Sequence, residues 1–101
     1  MYSGFGEKFR DPEYYERYPE VSLAMAEQLV RAQIAMVGMD TPSPDRAPFL
    51  VHKVLLSAGV LIIENLCNLE QLLVAERFYV RAYPIKLKAD AAPARVVAEV
   101  L

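Results

Sequence analysis

The chain has 101 residues, 54% of them hydrophobic and 24% charged, which is the length and balance of one small globular domain with a modest core. Eleven basic against thirteen acidic residues give a formal net charge of -2, so the strongly basic or acidic balance of a nucleic-acid or membrane-surface binder is excluded and a small molecule or a protein is the expected partner. A single cysteine, Cys67, allows no intrachain disulfide, the opening MYSGFGEKFRD lacks a secretory pattern, and Glu64, Glu70 and Glu76 interrupt the richest apolar region before the roughly 20 residues of a bilayer span, so a soluble cytoplasmic protein is expected.

Residues 1–20 mix four tyrosines, two phenylalanines and two prolines with charges, which predicts a loop with a helical turn over residues 12–18, packed over the rest of the protein. Ser22 is a plausible N-cap for a surface helix, since Leu23, Ala26, Val30 and Ile34 recur at helical spacing while Glu27, Gln28 and Arg31 fall on other faces. Residues 35–39 form an apolar run without alternation, the pattern of a strand buried on both faces. The prolines of Asp40-Thr-Pro-Ser-Pro-Asp45 then predict a rigid loop with a carboxylate at each end, Asp45 being able to cap the next helix.

Pro48 suits the first turn of that helix. Leu50, Val51, Val54, Leu55 and Ala58 form its apolar stripe, and Gly59 is a natural C-terminal stop. Residues 60–63 read as a second buried strand, and Asn68 as the cap of a short helix through Leu73. Phe78, Val80 and Ala82 alternate with Tyr79, Arg81 and Tyr83 in the period of a half-exposed strand that Pro84 bends or ends. Residues 85–87 and Ala94–Val100 are expected to pair antiparallel across a turn containing Asp90 and Pro93. The predicted class is α/β, a mixed sheet built from helix-strand-helix-strand units followed by antiparallel strands, with a parallel pair at its centre. Strands buried on both faces want neighbours, and none reads as a strong strand before Ser22, so a missing or borrowed partner is implied.

For chemistry, the stretch HKVLLSAGVLIIE sets His52, the only histidine, and Glu64 at the two ends of an apolar run. Imidazole nitrogen and carboxylate oxygen are ligand atoms for zinc or manganese, and a helix-turn-strand reversal can bring the two to a shared edge. On spacing alone, a histidine of this kind is more often a structural residue with ordinary hydrogen bonds. Asp40 and Ser43 lie just past a buried strand, where open α/β sheets place ligands. The competing reading makes Asp40, Ser43 and Asp45 turn and cap residues. Cys67 is expected to be a buried, inert thiol, Arg95 an ion-pair partner, and Tyr14, Tyr15 and Tyr18 a packing or subunit-contact surface.

The words Val37-Gly-Met-Asp-Thr-Pro-Ser-Pro-Asp45, His52-x-x-Leu-Leu, Ile62-Ile-Glu-Asn-Leu-x-Asn-Leu69, Tyr83-Pro-Ile-Lys-Leu and Pro93-Ala-Arg95, in that order and spacing, resemble the cyclase-like family of metal-dependent hydrolases, which includes the bacterial kynurenine formamidases or arylformamidases. Ser3-Gly-Phe-Gly-Glu-Lys-Phe9 and Glu13-Tyr-Tyr are similar to that family as well. The resemblance implies part of a swivelling β/β/α fold, and it implies that His52 and Glu64 are metal ligands, zinc being the expected ion and manganese the alternative. It also places an Asp-x-x-Ser element at Asp40 and Ser43, as pocket or supporting residues.

The implied reaction is hydrolysis of a small-molecule formamide, N-formylkynurenine to kynurenine and formate in tryptophan catabolism, by a homo-oligomer. The family's upstream His-x-Gly-Thr-His-x-Asp-x-Pro-x-His motif has no counterpart in this chain. Residues 1–101 therefore read as a single partial domain, the C-terminal half of a family chain, and this chain alone is expected to be inactive. Two functions stay open, an arylformamidase-type metal-dependent amide hydrolase and a non-catalytic remnant or assembly module that keeps the fold and subunit interface.

Overall fold

The computed structural model describes residues 1–101, which divide into two compact units, Met1–Leu69 and Glu70–Leu101. In the first unit, helix α1 (Leu23–Arg31) leads to strand β1 (Met36–Gly38), and helix α2 (Leu50–Ser57) leads to strand β2 (Leu61–Ile63). β1 and β2 are parallel, with Met36 opposite Leu61, Val37 opposite Ile62 and Gly38 opposite Ile63. The ladder is extended by the Leu61 N–H to the Ala35 carbonyl, 3.0 Å, and the Met39 N–H to the Ile63 carbonyl, 2.9 Å.

Local chemistry sets the ends of both helices. The Ser22 hydroxyl accepts the Met25 N–H at 3.1 Å and starts α1 as its N-cap. α2 stops in a Schellman motif: Gly59 takes a left-handed φ of 78°, its N–H reaches the Leu56 carbonyl, and the Val60 N–H reaches the Leu55 carbonyl. α1 ends in the same pattern, the Gln33 N–H on Val30 and the Ile34 N–H on Leu29. Here the left-handed position, φ 55°, holds a glutamine. Leu50 begins α2, so Pro48 lies in the approach rather than in the first turn. The intervening Phe49 is left-handed, φ 60°, and interrupts the helical backbone.

The core gathers Ala26 from α1, Val37 and Met39 from β1 and its end, Val51 and Leu55 from α2, and Val60, with Val21, Leu29, Val30, Ile34, Val54 and Ile62 packed around them. The helical spacing identified Ala26, Val30, Ile34, Val51, Val54 and Leu55 among these positions. Leu23, Leu50 and Ala58, however, turn out of the core and are exposed. β2 is also less covered than its unbroken apolar run predicts. Leu61 is 62% exposed, because in a two-stranded sheet β2 has a neighbour on one edge only.

The N-terminal segment contributes a 3-10 helix, Phe5–Lys8, and tight turns through residues 11–17, where the Tyr14 N–H meets the Asp11 carbonyl and the Arg17 N–H the Glu13 carbonyl. It packs down as expected. Tyr14 is 1% exposed, with the Phe5 ring stacked at 5.2 Å and the Phe9 ring edge-on at 5.4 Å.

A short 3-10 helix, Leu69–Leu72, replaces the predicted helix after Asn68. In the second unit, β3 (Phe78–Pro84) pairs antiparallel with β4 (Ala94–Val100), from Phe78 opposite Val100 to Pro84 opposite Ala94. The predicted strand at residues 85–87 is absent. The seven residues of β3 offer β4 a far longer ladder than that three-residue run, which becomes part of the connecting loop closed by the Ile85 N–H on the Pro93 carbonyl. The parallel and antiparallel pairings of the α/β class are thus both present, in two separate two-stranded sheets.

Candidate metal centre

Both candidate ligands belong to the first unit. His52 sits in the first turn of α2, and Glu64 directly follows β2. The parallel pairing and the reversal after Gly59 bring the end of β2 alongside the start of α2, so His52 Nε2 lies 3.5 Å from Glu64 Oε1. Both side chains are partly accessible.

A third residue fixes the imidazole. Asp45 is 6% exposed and spends its two carboxylate oxygens differently: Oδ2 accepts the Val51 N–H at 2.7 Å, and Oδ1 lies 2.5 Å from His52 Nδ1. The first bond caps α2 from a distance, in place of the residue at the N-cap position, Phe49, which makes no side-chain capping bond. The second orients the ring. The Phe49 ring meets the imidazole edge-on, centroids 5.5 Å apart. Sequence reasoning anticipated Asp45 as a cap and missed its bond to His52. The available signal was a carboxylate just ahead of a helix whose first turn carries the only histidine.

Burial raises the Glu64 carboxyl above its ordinary range, and the neighbouring imidazole pulls it part of the way back. A carboxylate so placed gains from a nearby cation. The spacing fits an ion between the two side chains: donors about 2.0–2.2 Å from a tetrahedral zinc stand about 3.3–3.6 Å from each other. A direct hydrogen bond at 3.5 Å would be poor. His52 and Glu64 thus fit as two donors to one divalent ion, with Asp45 behind the imidazole, while no group of three or more His, Cys, Asp or Glu side chains able to hold a metal converges anywhere in the chain.

Asp40 and Ser43 make no hydrogen bond to either member of that pair. Asp40 is 3% exposed and its carboxylate gathers the N-terminal segment: it accepts the Ser3 N–H at 3.0 Å, the Ser3 hydroxyl at 2.7 Å, the Gly4 N–H at 2.8 Å and the Gly6 N–H at 3.4 Å. Burial by itself would raise its carboxyl, but the bonds from Ser3, Gly6 and Gly4 outweigh burial and hold it below the ordinary range. Gly6 packs against this residue so closely that an added Cβ would come within 3.1 Å of Asp40 Cβ. Ser43 donates to the Asp45 carbonyl at 2.7 Å and shapes the loop. Asp40 thus makes anchoring bonds to the N-terminal segment, and Ser43 makes a turn bond that holds Asp45.

Tyr14 and Tyr18 tie the same loop to the N-terminal segment. The Tyr14 hydroxyl lies 3.0 Å from Asn65 Oδ1 and 3.2 Å from the Asp40 carbonyl, and the Tyr18 hydroxyl donates to the Asp45 carbonyl at 3.1 Å. Arg46 stacks over the Tyr18 ring and pairs with Glu20 at 2.8 Å. Tyr15 is exposed. Cys67 is exposed rather than buried, because it lies in the loop between the left-handed residues Asn65 and Asn68 instead of on a packed helix. The ion pair of the hairpin is made by Arg81 and Glu99, not by Arg95, whose neighbour across the ladder is Tyr83. No helix of the protein is long and apolar enough to cross a membrane.

No family model matches the chain. An uncharacterized protein of Methanocaldococcus jannaschii is 35% identical over 99 residues, a match covering 97% of this chain and 51% of the relative. The chain thus spans about half the length of that relative. Two solved structures are similar. One, described as a potential metal-dependent hydrolase with cyclase activity, is 39% identical with a TM-score of 0.64, covering 78% of this chain and 40% of its own. The other, a predicted metal-dependent hydrolase from Bacillus stearothermophilus, is 38% identical with a TM-score of 0.67, covering 82% of this chain and 41% of its own. The chain therefore carries a small α/β fold, with parallel and antiparallel pairing, that matches part of the structures of cyclase-like metal-dependent hydrolases.

Proposed function

We propose that the chain is the part of a metal-dependent amide hydrolase of the arylformamidase type that contributes His52 and Glu64 to the metal centre, and that its substrate is an aryl formamide such as N-formylkynurenine. The observation that carries this reading is the 3.5 Å separation of His52 Nε2 and Glu64 Oε1, a spacing suited to two donors on one ion. The similar structures described as metal-dependent hydrolases support the choice of a divalent metal. Zinc is the ion we assign, with manganese as the alternative. Such an ion supplies an activated water and polarises the formamide carbonyl.

In this reading the chain's own residues bind and orient. His52 donates through Nε2, Glu64 through its carboxylate, and Asp45 keeps the imidazole in place. Two donors hold a divalent ion weakly, so the remaining ligands come from the part of the fold that this chain does not match, and turnover requires both parts. Working as a homo-oligomer in the cytoplasm is part of the same proposal.

Calorimetric titration of the chain with zinc tests it, together with aryl formamide hydrolysis by the chain alone and mixed with a polypeptide spanning the rest of the relatives' length. Weak zinc binding lost in His52→Ala, and turnover only in the mixture, are expected. If wild type and His52→Ala take up zinc identically and the mixture is inactive, the ligand assignment falls and a non-catalytic assembly module is the better description.

A further inference from the structure

We propose that Asp45 is the positioning residue of this centre: it holds the imidazole proton of His52 on Nδ1, so that the bare Nε2 is the nitrogen presented to Glu64 and to a divalent ion. The inference rests on the function proposed above for its purpose, but its geometry stands independently. A neutral imidazole carries one proton, and the hydrogen bond made by one nitrogen determines which nitrogen is left free. Asp45 Oδ1, 2.5 Å from Nδ1, is an acceptor only, and its partner oxygen is already committed to the Val51 N–H at 2.7 Å. Nδ1 must therefore donate. A carboxylate behind a histidine ligand is the arrangement that fixes tautomer and ring orientation and raises the basicity of the ligating nitrogen.

The carboxylate is itself held. Asp45 is nearly buried, its carbonyl accepts the Tyr18 and Ser43 hydroxyls, and the loop before it is stiffened by Pro42 and Pro44. Rotation of the carboxyl would strand the Val51 N–H, so the cap of α2 and the orientation of His52 are one device.

This coupling makes Asp45→Asn a sharp test. An asparagine has one oxygen and one NH2 where aspartate has two acceptors. The buried Val51 N–H can face only the oxygen, which leaves the NH2 facing Nδ1. Nδ1 must then accept, and the proton moves to Nε2. The cap survives while the tautomer inverts.

Because His52 is the only histidine, long-range proton-nitrogen NMR of the 15N-labelled, metal-free protein reads its two ring nitrogens without ambiguity. In the neutral imidazole, the expected result is a protonated Nδ1 and a bare Nε2 in the wild type, reversed in Asp45→Asn. Zinc titration of the same samples is expected to show about 10–100-fold weaker binding by the variant. A bare Nδ1 in the wild type overturns the inference, as does an unchanged tautomer in a folded Asp45→Asn protein. The wild-type spectrum decides by itself should the variant not fold. A protonated Nδ1 in a wild type that binds no zinc upholds the role of Asp45 and removes the proposed ligand pair instead.

Discussion

His52 Nε2 and Glu64 Oε1 approach to 3.5 Å although one belongs to a helix and the other to the residue that leaves the parallel strand β2. The approach depends on the turn between them: the Schellman stop at Gly59 reverses the chain, and the register of β1 and β2 fixes how far Glu64 travels back.

Removing either donor should weaken ion binding while the apolar core stays intact, with some loss of stability in His52→Ala, where the nearly buried Asp45 carboxylate loses its imidazole partner. His52→Ala and Glu64→Gln are each expected to weaken zinc affinity by about tenfold or more, because a single remaining donor cannot chelate. Calorimetry measures the affinity, and thermal unfolding shows that the fold is retained.

Asp40 predicts an acid-sensitive anchor. Its carboxyl lies below the ordinary value of about 3.9. A depressed folded value means that the stability it contributes is fully present above the unfolded value and is lost as pH falls through the folded one. Denaturant midpoints should thus be flat from about pH 7 to 5 on account of this group and fall below about pH 4. Asp40→Ala should flatten that acid limb, expose the Ser3, Gly4 and Gly6 amides to hydrogen exchange, and cost about 1–3 kcal/mol through the donors left unsatisfied.

The two helix stops make opposite predictions. Gln33 occupies the left-handed C-terminal position that glycine fills after α2, at φ 55° with an exposed side chain. Gln33→Gly should stabilise by about 0.5–1 kcal/mol, as relief of backbone strain exceeds the added freedom of the unfolded chain. Gly59→Ala should destabilise by about 1 kcal/mol even though its Cβ would meet nothing within 4 Å, because φ 78° strains any side-chain-bearing residue. Chemical unfolding of both variants measures the difference.

Core packing gives a fourth expectation. Leu55 is among the largest fully buried side chains, in contact with the α1, β1 and Val60 cluster. Leu55→Ala should cost about 2–5 kcal/mol in a urea titration. Tyr14→Phe should cost only about 1 kcal/mol, since the ring keeps its contacts with Phe5 and Phe9 and loses one hydroxyl bond.

Much of this was legible from short-range chemistry. The serine before α1, the glycine after α2, the apolar spacing that marks Ala26, Val30, Val51 and Leu55, and the alternation of β3 all act over a few residues, and the sequence displays them directly. The choice of strand partner is different. Nothing local distinguishes residues 85–87 from β3 as the mate of β4, because the decision compares whole ladders rather than individual residues.

The candidate centre divides the same way. His52 and Glu64 can be picked out as residue types at the ends of an apolar run, but their meeting is set by strand register and by the reversal at Gly59. Asp45 carries both a cap and an imidazole contact only because Phe49 turns left-handed and brings the start of α2 back over the loop. Cys67 faces outward for an equally nonlocal reason, the pair of left-handed asparagines that carry its loop away from any helix. Sequence alone determined the start of α1, the stop of α2 and much of the apolar face of each, since those are contests among neighbours a few residues apart. Tertiary structure decided which polar side chains face one another, because that depends on long-range pairing and on burial that no single segment contains.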